Sequence, residues 1–265
     1  MKTFLHNGPN KISYQVEGMG LPIVWIHGGG VDHRMWQPQM KYFCNRYQLI
    51  TYDIRGHGQS HYEVNEQPEI ADLEALLDHL GLGQVALAGL SLGAVLAVDF
   101  VLAHPERVSK LILLSPGLVG VQEKEASYLE PLQKLMAAVN SRDMEAAADV
   151  ILQMTFSENS DRNIPGLKAM KAYVKATTTQ YFKSGNYTRM PRLKEANPAP
   201  RLEEISCPTL VLHGSADADY IAKNVAVLER EIPDCQTVLL FGAGHLVNVE
   251  GQEAVNEAIE LFLVN

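Results

Sequence analysis

The sequence predicts an α/β protein: a mostly parallel, doubly wound sheet carrying a helical insertion. Three observations predict it. Short apolar runs alternate with helix-period segments along most of the 265 residues. The runs are nearly continuous in Val, Ile and Leu, as strands buried on both faces are. The alternation then fails between 121 and 201, where only helical patterning is left.

Taken in order, the weaker runs 2–6 and 12–17 read as antiparallel edge strands. Runs 22–26 and 48–53 follow as buried strands. Ile70, Leu73, Leu76, Leu77 and Leu80 recur at i, i+3, i+4 spacing, and Gly81 is placed to end that helix. A strand at 85–90 runs directly into a helix that closes before Pro105. Strands are expected again at 110–114, 208–213 and 237–241, and a last amphipathic helix at 253–262. Such alternation winds a right-handed α/β sheet. The stretch 121–201 gives helices near 125–139, 144–154 and 164–182. It ends in the Pro-marked segment Asn197-Pro198-Ala199-Pro200. An uninterrupted crossover of that length far exceeds an ordinary connection. It therefore reads as an insertion on the C-terminal edge of the sheet, rather than a continuation of the sheet's outer layer. The organisation expected is a core of 1–120 and 202–265 with 121–201 inserted.

The formal net charge is −9, which argues against nucleic acid or an anionic membrane as partner. Cys44, Cys207 and Cys235 are scattered, with no CxxC, and read as reduced thiols of a cytoplasmic protein. MKTFLHNGPNK breaks before an apolar signal region could form, and no run approaches a membrane span. A monomer or homodimer acting on a small molecule is expected.

The chemistry gathers at strand ends. Gly89-Leu90-Ser91-Leu92-Gly93 is a G-x-S-x-G pattern, which is weak as a bare motif. Its context is that of a nucleophile elbow, a tight strand-to-helix turn that exposes the serine oxygen. The competing reading makes Ser91 an ordinary helix N-cap. A serine hydroxyl needs a base, and the base needs an orienting group. The run 237–241 leads to His245 on a glycine-rich loop, and the run 208–213 leads to Asp217, with Asp219 as the alternative acid. Ser, Asp and His thus reach one edge of one sheet, where open α/β folds bind ligands. An oxyanion hole would take the N–H of Leu92, at a helix start, and one from the loop His27-Gly28-Gly29-Gly30, with Gly29 first and Gly30 next. A phosphate loop is the lesser reading of those glycines.

In order along the chain, HGGGVDHRMW, YDIRGHGQS, GLSLG, GSAD and GAGH resemble the α/β-hydrolase superfamily. The combination is most similar to its 3-oxoadipate enol-lactonase and cofactor-free haloperoxidase-like serine hydrolases. The resemblance covers everything but the insertion, which in that family is a helical cap. It implies the α/β-hydrolase fold and a triad of Ser91, Asp217 and His245. It also implies an oxyanion hole from Gly29 and Leu92, and no cofactor or metal. The expected activity is cleavage of an ester or lactone through an acyl-enzyme. A perhydrolase on the same triad and a non-enzymatic ligand receptor are the alternatives. Asp53, Arg55 and His57 would form a structural turn network, and His27 would order its loop. Candidates for the substrate pocket are Gly30, Trp36, Leu132, Met136, Met154, Phe156, Tyr181 and Phe182. Tyr128, Leu135, Tyr173 and Met190 join them. Lys183, Arg189 and Arg192 are the cations available to a carboxylate-bearing substrate, although exposed surface charge is the simpler reading of each.

Overall fold

The computed structural model describes residues 3–63, 67–121, 126–157, 164, 166–185 and 197–265. Eight strands form one sheet: β1 (Thr3–Asn7), β2 (Asn10–Glu17), β3 (Leu21–Ile26), β4 (Tyr47–Tyr52), β5 (Val85–Leu90), β6 (Val108–Leu114), β7 (Thr209–Gly214) and β8 (Cys235–Leu240). Their order is β1-β2-β4-β3-β5-β6-β7-β8. The pairs β1–β2 and β2–β4 are antiparallel and every later pair is parallel. The two weak amphipathic runs are therefore the antiparallel edge, and the apolar runs are the parallel centre.

Alternation along each strand splits the core in two. In β5, Val85 and Leu87 face one apolar cluster while Ala86, Ala88 and Leu90 face the other. The first cluster is covered by α2 (Ile70–His79), α3 (Leu92–Ala103) and α7 (Asp219–Glu231). The second is covered by α1 (Gln37–Phe43) and α9 (Gln252–Val264), with the short α8 (Val247–Glu250) before it. α7 buries Ile221, Val225 and Leu228, and α9 buries Val255, Ile259 and Phe262, each at one-turn spacing. α1 and α7 were not distinguished in the sequence reading.

Three helices lie between β6 and β7: α4 (Ala126–Asn140), α5 (Met144–Thr155) and α6 (Leu167–Ser184). They pack on one another around a small cluster of Val139, Ala147 and Phe182. Asp143 starts α5 by accepting the Ala146 N–H at 3.0 Å. No helix among the described residues is long and apolar enough to cross a membrane.

Because β3, β5, β7 and β8 run parallel, their C-terminal loops open on the same edge. The chain leaves β3 for β4 on one side and takes up β5 on the other. The glycine loop after β3 and Ser91 after β5 therefore flank the switch point of the sheet, where a crevice forms.

Candidate active site

Ser91 sits between β5 and α3 at φ 54°, ψ −111°, and its side chain makes no capping bond. The N-cap reading is thus excluded by geometry: the backbone is strained and the helix gains no hydroxyl cap in return. The flanking glycines have steric causes. A Cβ on Gly89 would meet the Gly93 carbonyl, and a Cβ on Gly93 would meet the Ile26 carbonyl oxygen. The strand, the helix and β3 cross too closely there for any side chain. Backbone bonds hold the strained turn: the Ser91 N–H donates to the Leu114 carbonyl at 3.0 Å, and the Ser91 carbonyl accepts from Ala94 at 3.0 Å and Val95 at 3.1 Å.

The loops after β7 and β8 are laced together. Ser215 N–H donates to Leu240 O at 3.0 Å, Ala216 N–H to Ala243 O at 2.9 Å, and Gly242 N–H to Ser215 Oγ at 2.8 Å. This lacing brings His245 Nδ1 to 2.9 and 3.0 Å from the two Asp217 carboxylate oxygens. Ala218 N–H also donates to Asp217 Oδ1, at 2.7 Å. Burial opposes the charge on Asp217, but the imidazole and the Ala218 N–H outweigh it and hold the carboxyl below the usual range. Burial likewise disfavours protonated His245, yet the Asp217 charge and hydrogen bond raise its pKa above the ordinary 6.5. Asp219, by contrast, is the exposed first residue of α7.

Ser91, Leu92, Gly29, Gly30 and His245 all line one cavity of about 380 Å³. Leu92 opens α3, so its N–H has no carbonyl a turn behind it. The other peptide is aimed by His27. His27 Nδ1 lies 2.7 Å from the Gly28 carbonyl oxygen, and His27 Nε2 accepts the Ile54 N–H at 2.9 Å. These partners fix a neutral ring with its proton on Nδ1, and burial lowers the pKa in the same sense. The Gly28–Gly29 peptide is trans, so the Gly28 C=O and the Gly29 N–H point in opposite directions across one plane. Holding the carbonyl toward His27 therefore turns the Gly29 N–H away from it.

The remaining cavity wall comes mainly from α4–α6. Met136, Met154, Tyr181 and Phe182 lie on it, as do Leu135, Val139, Ile151, Thr155, Val174, Thr178 and Tyr220. The sequence reading missed most of the latter group. Counting turns of α6 back from Tyr181 would have found Thr178 and Val174. Four candidates are elsewhere. Trp36 is fully buried under the sheet, 5.0 Å from the Trp25 ring, because the turn His33–Trp36 points it into the core. Leu132 lies one turn of α4 before Leu135 and off the wall. Phe156 joins the core and lines a neighbouring hollow instead. Tyr173 anchors α6 to the core: its hydroxyl donates to Asp32 Oδ1 at 2.8 Å and accepts the Asp32 N–H at 3.1 Å. Lys183 faces Glu145 at 3.5 Å on the surface. Arg189, Met190, Arg192 and the side chain of Tyr128 lie outside the described residues.

The turn after β4 is a hydrogen-bonded network. Asp53 accepts from His33 N and Nδ1 at 3.0 and 2.6 Å and from Gln59 N at 2.9 Å. Arg55 Nε meets Asp72 at 2.6 Å in a buried pair. His57 stacks on Tyr181 with ring centres 4.5 Å apart, and burial takes its pKa down to about 3. Among the described residues, Asp32, His33 and Asp53 are the one group close enough to share a metal ion. Their oxygens are already occupied by Arg34, Tyr173, His33 and Gln59, so the cluster reads as an internal ion-pair network.

The family model described as the alpha/beta hydrolase family matches residues 23–258. Among characterised relatives, the (E)-2-((N-methylformamido)methylene)succinate hydrolase of Acinetobacter baylyi is 26% identical over 271 residues, 99% of this chain and 97% of the relative. The 3-oxoadipate enol-lactonase 2 of the same organism is 28% identical over 247 residues, 91% of this chain and 88% of the relative. A solved structure of Est816, described as an N-acyl homoserine lactone degrading enzyme, superposes with a TM-score of 0.81 at 26% identity, covering 98% of this chain and 100% of that one.

Proposed function

From the premise that this chain belongs to the alpha/beta hydrolase family, we propose that it is a serine hydrolase of carboxylic esters or lactones. One observation carries the reading. A strained, uncapped Ser91 shares an apolar cavity with His245, which is itself held by buried Asp217. α4–α6 then serve as the cap over a core of 1–120 and 202–265.

Ser91 Oγ bonds to the substrate carbonyl carbon while His245 Nε2 takes the hydroxyl proton. The negative charge on the carbonyl oxygen is met by the Gly29 and Leu92 N–H groups. The carbon–oxygen bond to the leaving group breaks, and His245 returns its proton to that oxygen. Water, deprotonated by His245, attacks the acyl-enzyme, and the acid departs as Ser91 regains its proton. Asp217 keeps the His245 proton on Nδ1 and stabilises the imidazolium. Among the described residues, the cavity walls carry no Lys, Arg, Asp or Glu. This favours an uncharged, small to medium acyl group, unlike the carboxylates in the names of the two curated relatives.

The test is a panel of p-nitrophenyl esters and lactones with wild type and Ser91→Ala. Wild type turns over many equivalents, and Ser91→Ala loses at least about 10⁴-fold in kcat. kcat/KM rises with pH through a pKa above 6.5, because neutral His245 is the base. Turnover that survives in Ser91→Ala overturns the mechanism. A stop after one equivalent makes the chain a receptor, and preferential acyl transfer to hydrogen peroxide makes it a perhydrolase.

A further inference from the structure

The turn that follows β6 holds the backbone of Ser91 on one side and the root of the Asp217 loop on the other. The Leu114 carbonyl accepts the Ser91 N–H at 3.0 Å, and the Gly117 N–H reaches the Ser91 carbonyl at 3.4 Å. Between them, the Ser115 N–H donates to the Leu212 carbonyl of β7 at 2.8 Å. The Pro116 carbonyl accepts from Asn224 Nδ2 of α7 at 3.0 Å. Ser115 therefore stands where β7 leaves the sheet toward Asp217.

Ser115 is anomalous there in two ways. Its φ is 41°, a left-handed backbone that suits glycine better than any residue with a Cβ. Its side chain is fully buried, and Oγ makes no well-formed hydrogen bond among the described residues. Glycine at this position would be free of both costs, and the backbone bonds of the turn need no hydroxyl. Strain kept together with an unspent buried hydroxyl points to a use for the side chain.

Asp217 is the group within reach. Burial opposes its charge, and against burial act His245, the Ala218 N–H and, last, the Ser115 hydroxyl. Ala218 holds only Oδ1, so that bond alone lets the carboxylate turn about one point. A second donor fixes its plane, with both oxygens toward His245 Nδ1. We propose that the Ser115 hydroxyl is this donor, a positioning residue that aligns Asp217 with His245 during turnover. A hydroxyl rotates to suit its partner, and catalytic hydrogen bonds that are loose in the free enzyme tighten once substrate binds. The inference rests on the serine-hydrolase reading.

The experiment uses the full chain and p-nitrophenyl butanoate. Ser115→Gly relaxes the backbone and removes the buried hydroxyl, so its urea midpoint stays at or above that of wild type. Its kcat nevertheless falls at least about tenfold with little change in KM, the scale of one hydrogen bond to a charged group. The pKa seen in kcat/KM rises, because Asp217 without that donor acts more strongly on the His245 imidazolium. Ser115→Ala keeps the strain and loses the same kcat. In the Asp217→Asn background Ser115→Gly costs less than about twofold, because the two residues act as one unit. The proposal is overturned if both Ser115 variants keep the wild-type kcat and pH profile, or if Ser115→Gly costs as much in Asp217→Asn as in wild type. A kcat loss that tracks a loss of stability in both variants makes Ser115 structural and overturns it too. Full turnover by Ser91→Ala would sink the underlying hydrolase reading, whatever the Ser115 variants show.

Discussion

At the scale of single residues, the proposed mechanism gives buried His27 a part in the chemistry without contact with substrate. Its Nδ1 holds the Gly28 carbonyl and its Nε2 is held by Ile54. The plane of the Gly28–Gly29 peptide is therefore set by an imidazole clamped from both ends. Asn can place an amide nitrogen where Nδ1 lies, whereas Ala leaves the carbonyl free to rotate. His27→Ala is expected to lower kcat by about 10²-fold with a smaller change in KM, the scale of losing one oxyanion donor. His27→Asn should recover part of that loss. Steady-state kinetics on a short-chain p-nitrophenyl ester decide it, and equal kcat in the two variants would sink the positioning role. The side chains of the proposed triad stood out in the sequence because each lies just past an apolar run with glycine at or next to its end. The peptide-aiming role of His27 was not, because it depends on which carbonyl lies next to the ring. Trp36 misled for the converse reason: its neighbours Asp32 and His33 face polar partners, while the turn sends the indole the other way, into the core.

At the scale of elements, the eight strands were readable to within a few residues, the inner β3–β7 because a two-sided burial demand leaves an apolar run and the outer β1, β2 and β8 despite their partial exposure. The helices from α4 to α6 were readable as helices, but not as to which side chains face the cavity. Their amphipathic faces are divided between a shared cluster and the cavity wall, and periodicity alone does not separate the two. α6 is tied to the glycine loop by Tyr173 on Asp32 and more weakly by Thr178 Oγ1 on the Gly30 carbonyl at 3.3 Å. Tyr173→Phe removes both a donor to the Asp32 carboxylate and the acceptor of the Asp32 N–H, in a part-buried setting. An unpaired buried polar group costs about 1–3 kcal/mol. Urea unfolding should show a loss of that size, and amide exchange should quicken in α6 more than in α3. Uniform quickening of both helices would count against α6 being separately anchored.

For the whole molecule, the pH dependence of stability follows from which buried groups change protonation on unfolding. His27, His57 and His213 have pKa values lowered by burial, His57 to about 3. Their unfolded value is 6.5, so unfolding takes up protons as the pH drops below it. Stability is lost on acidification from that point, and the His57 share continues to be lost down to about pH 3. Asp217, Asp53 and Asp32 have lowered pKa values, Asp32 reaching about 2. Their contribution is present above 3.8 and is lost as the pH falls through the folded values. His33 and His245 have raised values, so they act oppositely. Their stabilisation is complete below 6.5 and disappears as the pH rises through the folded pKa. The molecule should therefore be squeezed from both sides, with the acid loss beginning at histidine rather than carboxylate pH. His57→Gln removes one titrating group. Between about pH 6 and 4, where His57 is protonated only in the unfolded chain, it should reduce the slope of unfolding free energy by up to about 1.4 kcal/mol per pH unit. Denaturant titrations at four pH values across that window measure the slope directly. An unchanged slope in His57→Gln would mean that His57 is already protonated in the folded protein, against the buried stack on Tyr181.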